Sequence, residues 1–200
     1  MTGLKFVAIV SSVREGRLAE RIMKLVQKTF DEKLKPNGHT LKFVDPKEFD
    51  LPVLKQAIHW YPDQSKAPEV LHRLNAITKE ADAYLILTAE YNRTMPSGLT
   101  NTMDHIAPAN FEYKPSGIIS YSMGPQGGCF AVAAARPFLS EMGCLPVKHF
   151  VAIGTAHKEV TEEGTTENSH IVSSLGKLFA QVEWWGVAAK ERRELKGTPS

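Results

Sequence analysis

Five short apolar runs, evenly distributed along the chain, constrain its fold more than any other feature. They begin at positions 4, 40, 83, 116 and 147, so successive starts lie 31 to 43 residues apart. The first, third and fourth runs are almost continuously apolar, which is typical of strands buried on both faces of a parallel sheet. Because a strand–helix–strand unit takes roughly 30 residues, each interval has room for one crossover helix.

Apolar residues at helical spacing fill most of these intervals. The stripes lie at 18–30, 70–81, 99–106 and 171–185. The segment 127–142 is rich in alanine and contains Pro137, which predicts a kinked or restarted helix because proline removes a backbone donor. Alternating strands and helices predict an α/β domain. We expect one domain over residues 1–200, with a polar tail that frays from residue 190 onwards.

Composition excludes several classes of protein. The 24 lysines and arginines nearly balance 22 acidic residues, whereas a dedicated nucleic-acid binder carries a large basic excess. The 2 cysteines lack metal-ligand spacing, which favours free thiols in a reducing compartment. The first 13 residues do not have the pattern of a signal peptide, and no apolar run approaches the roughly 18–20 residues of a membrane span. We therefore expect a cytoplasmic protein without a metal, nucleic-acid or membrane partner.

The segment after the first run has the chemistry of a phosphate site. It combines small hydroxyl side chains, arginines and the start of a helix: Ser11, Ser12, Arg14, Arg17, Leu18 and Ala19. A helix N-terminus offers free N–H groups and a positive dipole end, and guanidinium groups bind phosphate in bidentate fashion. Neither a Walker loop nor a dinucleotide fingerprint is present. The alternative interpretation is a capping serine followed by a solvated turn.

Two further loops follow the third and fourth runs. The first is polar and contains a tyrosine that could stack on a planar ring: Ala89, Glu90, Tyr91 and Asn92. The second follows Ser120 and contains Gly124, Gly127 and Gly128, which would permit close approach of a flat ligand. An ordinary polar loop and a flexible turn before a helix are the alternatives. In the strand order 2-1-3-4-5, all three loops would lie where a parallel sheet binds ligands, which fits a mononucleotide.

Three motifs in these loops, SSVREGR at 11–17, AEYNRTMPSGLTNTMD at 89–104 and SYSMGPQGG at 120–128, resemble a known family. This is the family of NADPH-dependent FMN reductases, which includes quinone, azo and chromate reductases. The resemblance extends from about residue 4 to residue 182. It implies a flavodoxin-like three-layer fold with a five-stranded parallel sheet in the order 2-1-3-4-5. It also implies bound FMN and NADPH or NADH as the co-substrate.

The resemblance also implies roles for individual residues. The FMN phosphate would be bound by Ser12, Arg14, Arg17, Leu18 and Ala19. The flavin ring would be bound by Glu90, Tyr91, Asn92 and Ser120. Ser11 and Ala89 stand where the family has glycine and proline, and both are small enough to leave the site open, with Gly124 on its other side. The flavin carries the redox chemistry, so no acid or base side chain is predicted to be catalytic.

The implied activity is hydride transfer from NAD(P)H through FMN to a quinone, free flavin, azo compound or metal oxyanion, in a ping-pong scheme. The family is commonly dimeric or tetrameric, so a homodimer or homotetramer is expected. Two alternatives remain open: an electron carrier like flavodoxin and a flavin-binding redox sensor. The charge of +2 disfavours a carrier, because carriers are steered by acidic surfaces. The long segment 46–66 leaves open a sensor. Its His59-Trp60-Tyr61 sequence could form an aromatic wall over a partner's flavin or a surface cluster that packs against its own loop.

Overall fold

A five-stranded parallel sheet forms the centre of the computed structural model, which describes residues 3–199. The strands are β1 (Lys5–Val10), β2 (Thr40–Val44), β3 (Ala83–Ala89), β4 (Lys114–Tyr121) and β5 (Cys144–Ile153). Their order is β2-β1-β3-β4-β5, which confirms the predicted flavodoxin-like order. Strands β4 and β5 begin earlier than predicted. Pro115 and Pro146 mark strand boundaries in the sequence pattern, but each lies near the start of its strand.

Seven helices connect and cover the strands in the described residues. They are α1 (Ala19–Lys33), α2 (Pro46–Phe49), α3 (Glu69–Lys79), α4 (Ser97–Asp104), α5 (Cys129–Glu141), α6 (Ala156–Glu159) and α7 (Ser169–Lys196). The five predicted helices are confirmed, and α2 and α6 are short additions. Pro137 lies inside α5 without ending it. Helix α7 continues six residues past the point where fraying was expected, because Lys190 and Arg193 bind the Asp82 carboxylate.

The helices form one layer on each face of the sheet. Alternate residues of β1 point to opposite faces: Phe6 and Ala8 pack with α1 and α7, whereas Val7 and Ile9 pack with α3, α4 and α5. Strand β3 is buried along its whole length, as its continuous apolar sequence predicted. Parallel strands bring the loops after β1, β3 and β4 together at the carboxyl end of the sheet. The starts of β4 and β5 lie at the opposite, amino end.

Candidate active site

The loop after β1 presents free backbone donors at the start of α1. Helix α1 begins after Leu18, which provides no side-chain cap. Within residues 3–199, four backbone N–H groups in this loop donate no hydrogen bond: those of Glu15, Gly16, Leu18 and Ala19. Gly16 has φ of 62°, and the space where its Cβ would stand is open. An anion with several acceptor oxygens fits this arrangement, since the donors and the positive end of the helix dipole coincide.

The guanidinium of Arg17 is hydrogen-bonded to other groups of the protein. Its guanidinium donates two hydrogen bonds to the Asp45 carboxylate, one of 2.7 Å, and another of 2.8 Å to Glu20. It also donates to the carbonyl of Ser12, and its side chain is only 4% exposed. Burial lowers the pKa of Arg17, but the bonds to Asp45 and Glu20 outweigh this effect and raise that pKa above its ordinary value. Arg17 therefore stabilises the conformation of the loop after β1 through these hydrogen bonds.

Hydrogen bonds tie this loop to the one after β3. The Ser11 hydroxyl accepts a 2.9 Å bond from the N–H of Ala89, and the Ser12 hydroxyl bonds to the Tyr91 hydroxyl. The guanidinium of Arg14 lies 3.5 Å from the centroid of the Tyr91 ring, in a cation–π contact. The loops after β1 and β3 are therefore joined into one continuous surface. One face of the Tyr91 ring, which was predicted to stack on a ligand, is in contact with Arg14.

A tight turn follows Tyr91. The N–H groups of Tyr91 and Thr94 donate to one another's carbonyl oxygens at 2.9 and 3.0 Å. The two central residues, Asn92 and Arg93, have φ of 51° and 64°, which is the signature of a type I′ turn. Asparagine suits such a position, whereas arginine there costs about 1 kcal/mol. In the described chain the N–H groups of both central residues lack an acceptor, so the turn offers donors to a ring edge.

Glu90 joins the loop after β3 to the start of α5. Its carboxylate accepts bonds from the N–H groups of Phe130 at 2.9 Å and Ala131 at 3.3 Å. Gly128 precedes the helix and has no side chain with which to cap it, so Glu90 supplies the cap from another loop. A negative charge at a helix N-terminus is also favoured by the helix dipole. The sequence motif placed Glu90 at the site but gave no indication of this capping role.

The loop after β4 corrects part of the sequence interpretation. The Ser120 hydroxyl is fully buried and donates to the carbonyls of Gly127 at 2.7 Å and Val151 at 3.3 Å. Its side chain therefore faces the protein interior and not a ring. A Cβ on Gly127 would lie 2.8 Å from the carbonyl carbon of Ala152, so this glycine is required by packing. Gly124 differs, because its Cβ would meet only side-chain atoms at ordinary contact distances, in Gln126 at 3.5 Å and Ser122 at 3.9 Å.

Apolar side chains surround these polar groups. Val13 lies in the loop after β1, Met123 in the loop after β4 and Phe130 in the first turn of α5, and they are 49%, 66% and 45% exposed. The guanidinium of Arg93 lies 4.5 Å from the centroid of the Phe130 ring. Sequence analysis did not single out Phe130, although an aromatic residue in the first turn of a helix that follows a glycine pair could have drawn attention to it. The arrangement offers an apolar border to a planar ligand.

The long segment 46–66 is fastened to α4. The Asn101 side chain donates to the carbonyl of Pro52 and accepts from the N–H of Leu54, both at 2.9 Å. The imidazole of His105 is also hydrogen-bonded to the Pro52 carbonyl, at 3.1 Å. Trp60 packs its ring against that of His59 but remains 71% exposed. Asn101 belongs to the motif at 89–104, so part of that motif positions the long segment.

Among residues 3–199, no three or more histidine, cysteine, aspartate or glutamate side chains are grouped so that they could hold a metal ion. In the same part of the chain, no helix has the length and apolar character needed to cross a membrane. Both cysteines are free thiols: Cys129 is exposed at the start of α5, and Cys144 is buried, which raises the pKa of its thiol to about 12.

Comparison with known proteins gives consistent results. The family model of NADPH-dependent FMN reductases matches residues 4–158. An NADPH azoreductase from a Bacillus species is 22% identical over 116 residues, which span 58% of this chain and 65% of the azoreductase, just under two thirds of its length. A quinone reductase from Pseudomonas putida is 27% identical over 154 residues, covering 74% of this chain and 77% of that protein.

The fold is shared with solved structures. One is FerB, a flavoenzyme NAD(P)H:(acceptor) oxidoreductase from Paracoccus denitrificans, with a TM-score of 0.74. The superposition covers 91% of this chain and 97% of FerB at 24% sequence identity. At that identity the similarity establishes the fold.

Proposed function

Since the chain belongs to the family of NADPH-dependent FMN reductases, we propose that it passes hydride from NAD(P)H through bound FMN to a quinone or similar small acceptor. When bound, FMN accepts two electrons from the nicotinamide and returns them to an acceptor, so donor and acceptor use one face in turn. The quinone reductase relative supports a quinone as the acceptor. Azo compounds, free flavin and metal oxyanions remain further candidates of the same reaction class.

The cradle of unpaired N–H groups at the start of α1 is the observation that carries this proposal. Glu15, Gly16, Leu18 and Ala19 would donate to the phosphate through their backbones, with the Ser12 hydroxyl and the Arg14 guanidinium beside them. Ala19 is 1% exposed, so its contribution would be the N–H group alone. Backbone donors combined with a helix N-terminus need no further cation to bind a phosphate.

The type I′ turn and the loop of Gly124 would hold the ring. The free N–H groups of Asn92 and Arg93 would bond its polar edge, and the open side of Gly124 would allow close approach from the other direction. The exposed side chains of Met123 and Phe130 would exclude water from the face where donor and acceptor bind. Ser11 and Ser120 would contribute indirectly. The Ser11 hydroxyl would position the backbone of Ala89, and the Ser120 hydroxyl would position that of Gly127.

A visible absorbance measurement tests the proposal. The protein is supplied with FMN, desalted, and mixed anaerobically with NADPH and then with a quinone. A retained flavin band that bleaches with NADPH and returns with the quinone is the expected result. A retained band that NADPH leaves unchanged would contradict the reductase function and favour a carrier or sensor. Absence of a retained flavin band would contradict the cradle assignment.

A pair of serine variants tests the cradle separately from turnover. Ser12→Ala removes the hydroxyl that accepts from the N–H of Arg14 and bonds to Tyr91, and should weaken FMN binding about tenfold. Ser65→Ala removes an exposed hydroxyl that bonds only Asp63 in the described chain, and serves as the matched control. Equilibrium dialysis gives both dissociation constants. Equal values for the two variants would show that Ser12 takes no part.

We further propose a homodimer or homotetramer in the cytoplasm. The exposed Val53 and Trp60 on the segment 46–66 support association of copies, because large exposed apolar side chains favour interfaces. The two free thiols support a reducing compartment. Light scattering on Trp60→Ala and on the parent protein, together with cell fractionation, tests these points. A parent protein that is monomeric at all concentrations would contradict the assembly.

A further inference from the structure

A half-open groove follows the edge strand β5 at the amino end of the sheet. Its walls come from the start of β4, the second half of α5, the start of β5 and the end of α7, together with residues 197–199. Its volume is about 1130 Å³, slightly more than the roughly 300–1000 Å³ typical of small-molecule sites. The groove is separated from the candidate active site by the length of β4, seven residue steps or about 23 Å.

The charged residues that line the groove are all of one sign. Six are cationic and none is acidic, although the chain as a whole carries nearly equal numbers of each. The six are Lys114, Arg136, Lys148, Arg192, Arg193 and Lys196. Such convergence raises the local positive potential inside a concave surface with apolar walls, and so favours an anionic ligand.

Most of these cations lack a carboxylate partner. Arg193 lies 3.3 Å from Asp82, but within residues 3–199 no ion pair involves Lys148, Arg192 or Lys196. Arg136 donates to the carbonyl of Lys148 at 2.8 Å, which fixes its guanidinium without neutralising it. Several positive charges are thus held beside the groove and left available to a bound anion.

Lys114 adds a buried cation to this set. The residue is only 7% exposed, and the one protein acceptor for its ammonium group in the described chain is the carbonyl of Lys79, at a long 3.4 Å. Burial, and then the charge of Arg193, lower the pKa of Lys114 to about 8. A buried ammonium group with one weak bond is costly to maintain, and a nearby anion would lower that cost.

The remaining lining is largely apolar. Tyr113, Leu145 and Trp185 are large side chains with 42%, 60% and 54% of their surface exposed. Proline and alanine residues of β4, α5, β5 and α7 add to the walls: Pro115, Pro137, Pro146, Ala188 and Ala189. Apolar walls with positive charges at the border match a ligand that has an apolar body and an anionic group.

We propose that this groove is a second ligand site, which binds a small amphipathic organic anion such as an aromatic carboxylate or sulfonate. The unneutralised charges of Arg192 and Lys148 attract the anionic group, and the walls around Leu145 and Trp185 cover its apolar body. The concave, apolar walls have room for an aromatic ring system, which suits a small molecule of this kind. The site is independent of the flavin, because it lies at the opposite end of the sheet.

Calorimetric titration of the FMN-loaded protein with naphthalenesulfonate tests the site. We expect one molecule bound per chain. The double variant Lys148→Gln/Arg192→Gln removes two exposed cations with no side-chain bond in the described chain, so it should fold normally and bind about tenfold more weakly. The control Lys28→Gln/Lys42→Gln removes two exposed cations elsewhere and should bind like the parent protein.

Naphthol, which keeps the ring and lacks the sulfonate, completes the design. Its binding should be weaker and equal in all three proteins. Leu145→Asp, at a side chain 60% exposed, introduces an anion into the groove and should abolish naphthalenesulfonate binding. Equal affinity of the parent protein and the groove variant would overturn the proposal. So would light scattering in which the groove variant alone loses self-association, since a second copy would then cover the groove.

Discussion

The two ends of the sheet use different parts of the polypeptide. At the carboxyl end, the candidate active site is made mostly of backbone: free N–H groups at the start of α1, the turn at Asn92 and Arg93, and the glycine loop after β4. At the amino end, the groove is made of side chains, with six cations among apolar walls. A site made of backbone requires particular glycines and turn residues, whereas a site made of side chains tolerates changes in shape but not in charge.

Two buried carboxylates, one at each end, give the largest expected effects. Asp45 holds Arg17 beside the loop after β1, and Asp82 holds Lys190, Arg193 and the N–H of Lys5. Asp45→Asn and Asp82→Asn should each lower the free energy of unfolding by about 3 kcal/mol, because each leaves a cation without its partner. Urea unfolding measures this loss. Only Asp45→Asn should also weaken FMN binding, as measured by equilibrium dialysis. Equal losses of FMN affinity in the two variants would contradict the functional difference between the two ends of the sheet.

Substitution of two glycines tests how strongly each end of the sheet depends on its backbone conformation. Gly127→Ala places a methyl group against the backbone of β5 at a positive φ, and should cost about 3 kcal/mol and much of the FMN affinity. In Gly186→Ala, near the amino end, the new methyl group would lie 2.8 Å from a methyl group at the flexible end of Leu4, which can move, and at an ordinary 3.7 Å from the Cβ of Ala83. The helix propensity of alanine offsets that displacement, so its stability should change by less than about 1 kcal/mol. Thermal unfolding of both variants makes the comparison.

Substitution of Glu90 should cause a smaller loss of stability, which arises at the carboxyl end of the sheet. Glu90→Gln removes the negative charge that caps α5 and should lower stability by about 1 kcal/mol. Glu162→Gln is the control: Glu162 forms an exposed ion pair with Arg21, and its loss should cost at most about 0.5 kcal/mol. Chemical denaturation resolves the difference. Identical losses would mean that the Glu90 contact with α5 contributes no more than a surface pair.

The amino end should respond to pH through Lys114. Because its pKa is lowered from 10.5 to about 8 in the folded chain, the unfolded chain binds more protons between these values, and stability rises with pH there. Lys114→Met should be about 1 kcal/mol more stable near neutral pH, since no ammonium group is buried. This advantage should shrink as the pH rises through about 8 towards 10.5. Unfolding curves at several pH values would contradict this explanation if the advantage stayed constant.

Periodicity and spacing, which are local signals, predicted the five strands and the five long helices. The resemblance to the reductase family implied the sheet order that brings the loops together at the carboxyl end. Neither predicted how the loops are fastened together. The Arg17–Asp45 pair, the capping of α5 by Glu90 and the burial of Ser120 each depend on residues brought together by the crossovers. The groove was missed for the same reason, since its cations are drawn from segments far apart in the chain.

The bond between Ser12 and Tyr91 joins residues that are 79 positions apart, and the bond from Phe130 to Glu90 spans 40. Contacts of such long range form slowly, because chain entropy is lost before they contribute. The loops at the carboxyl end should therefore order late in folding and open early in unfolding. A ligand present at about a hundred times its dissociation constant adds roughly 2.7 kcal/mol to the folded state. The supply of flavin would thus set how long each new chain survives proteases in the cell.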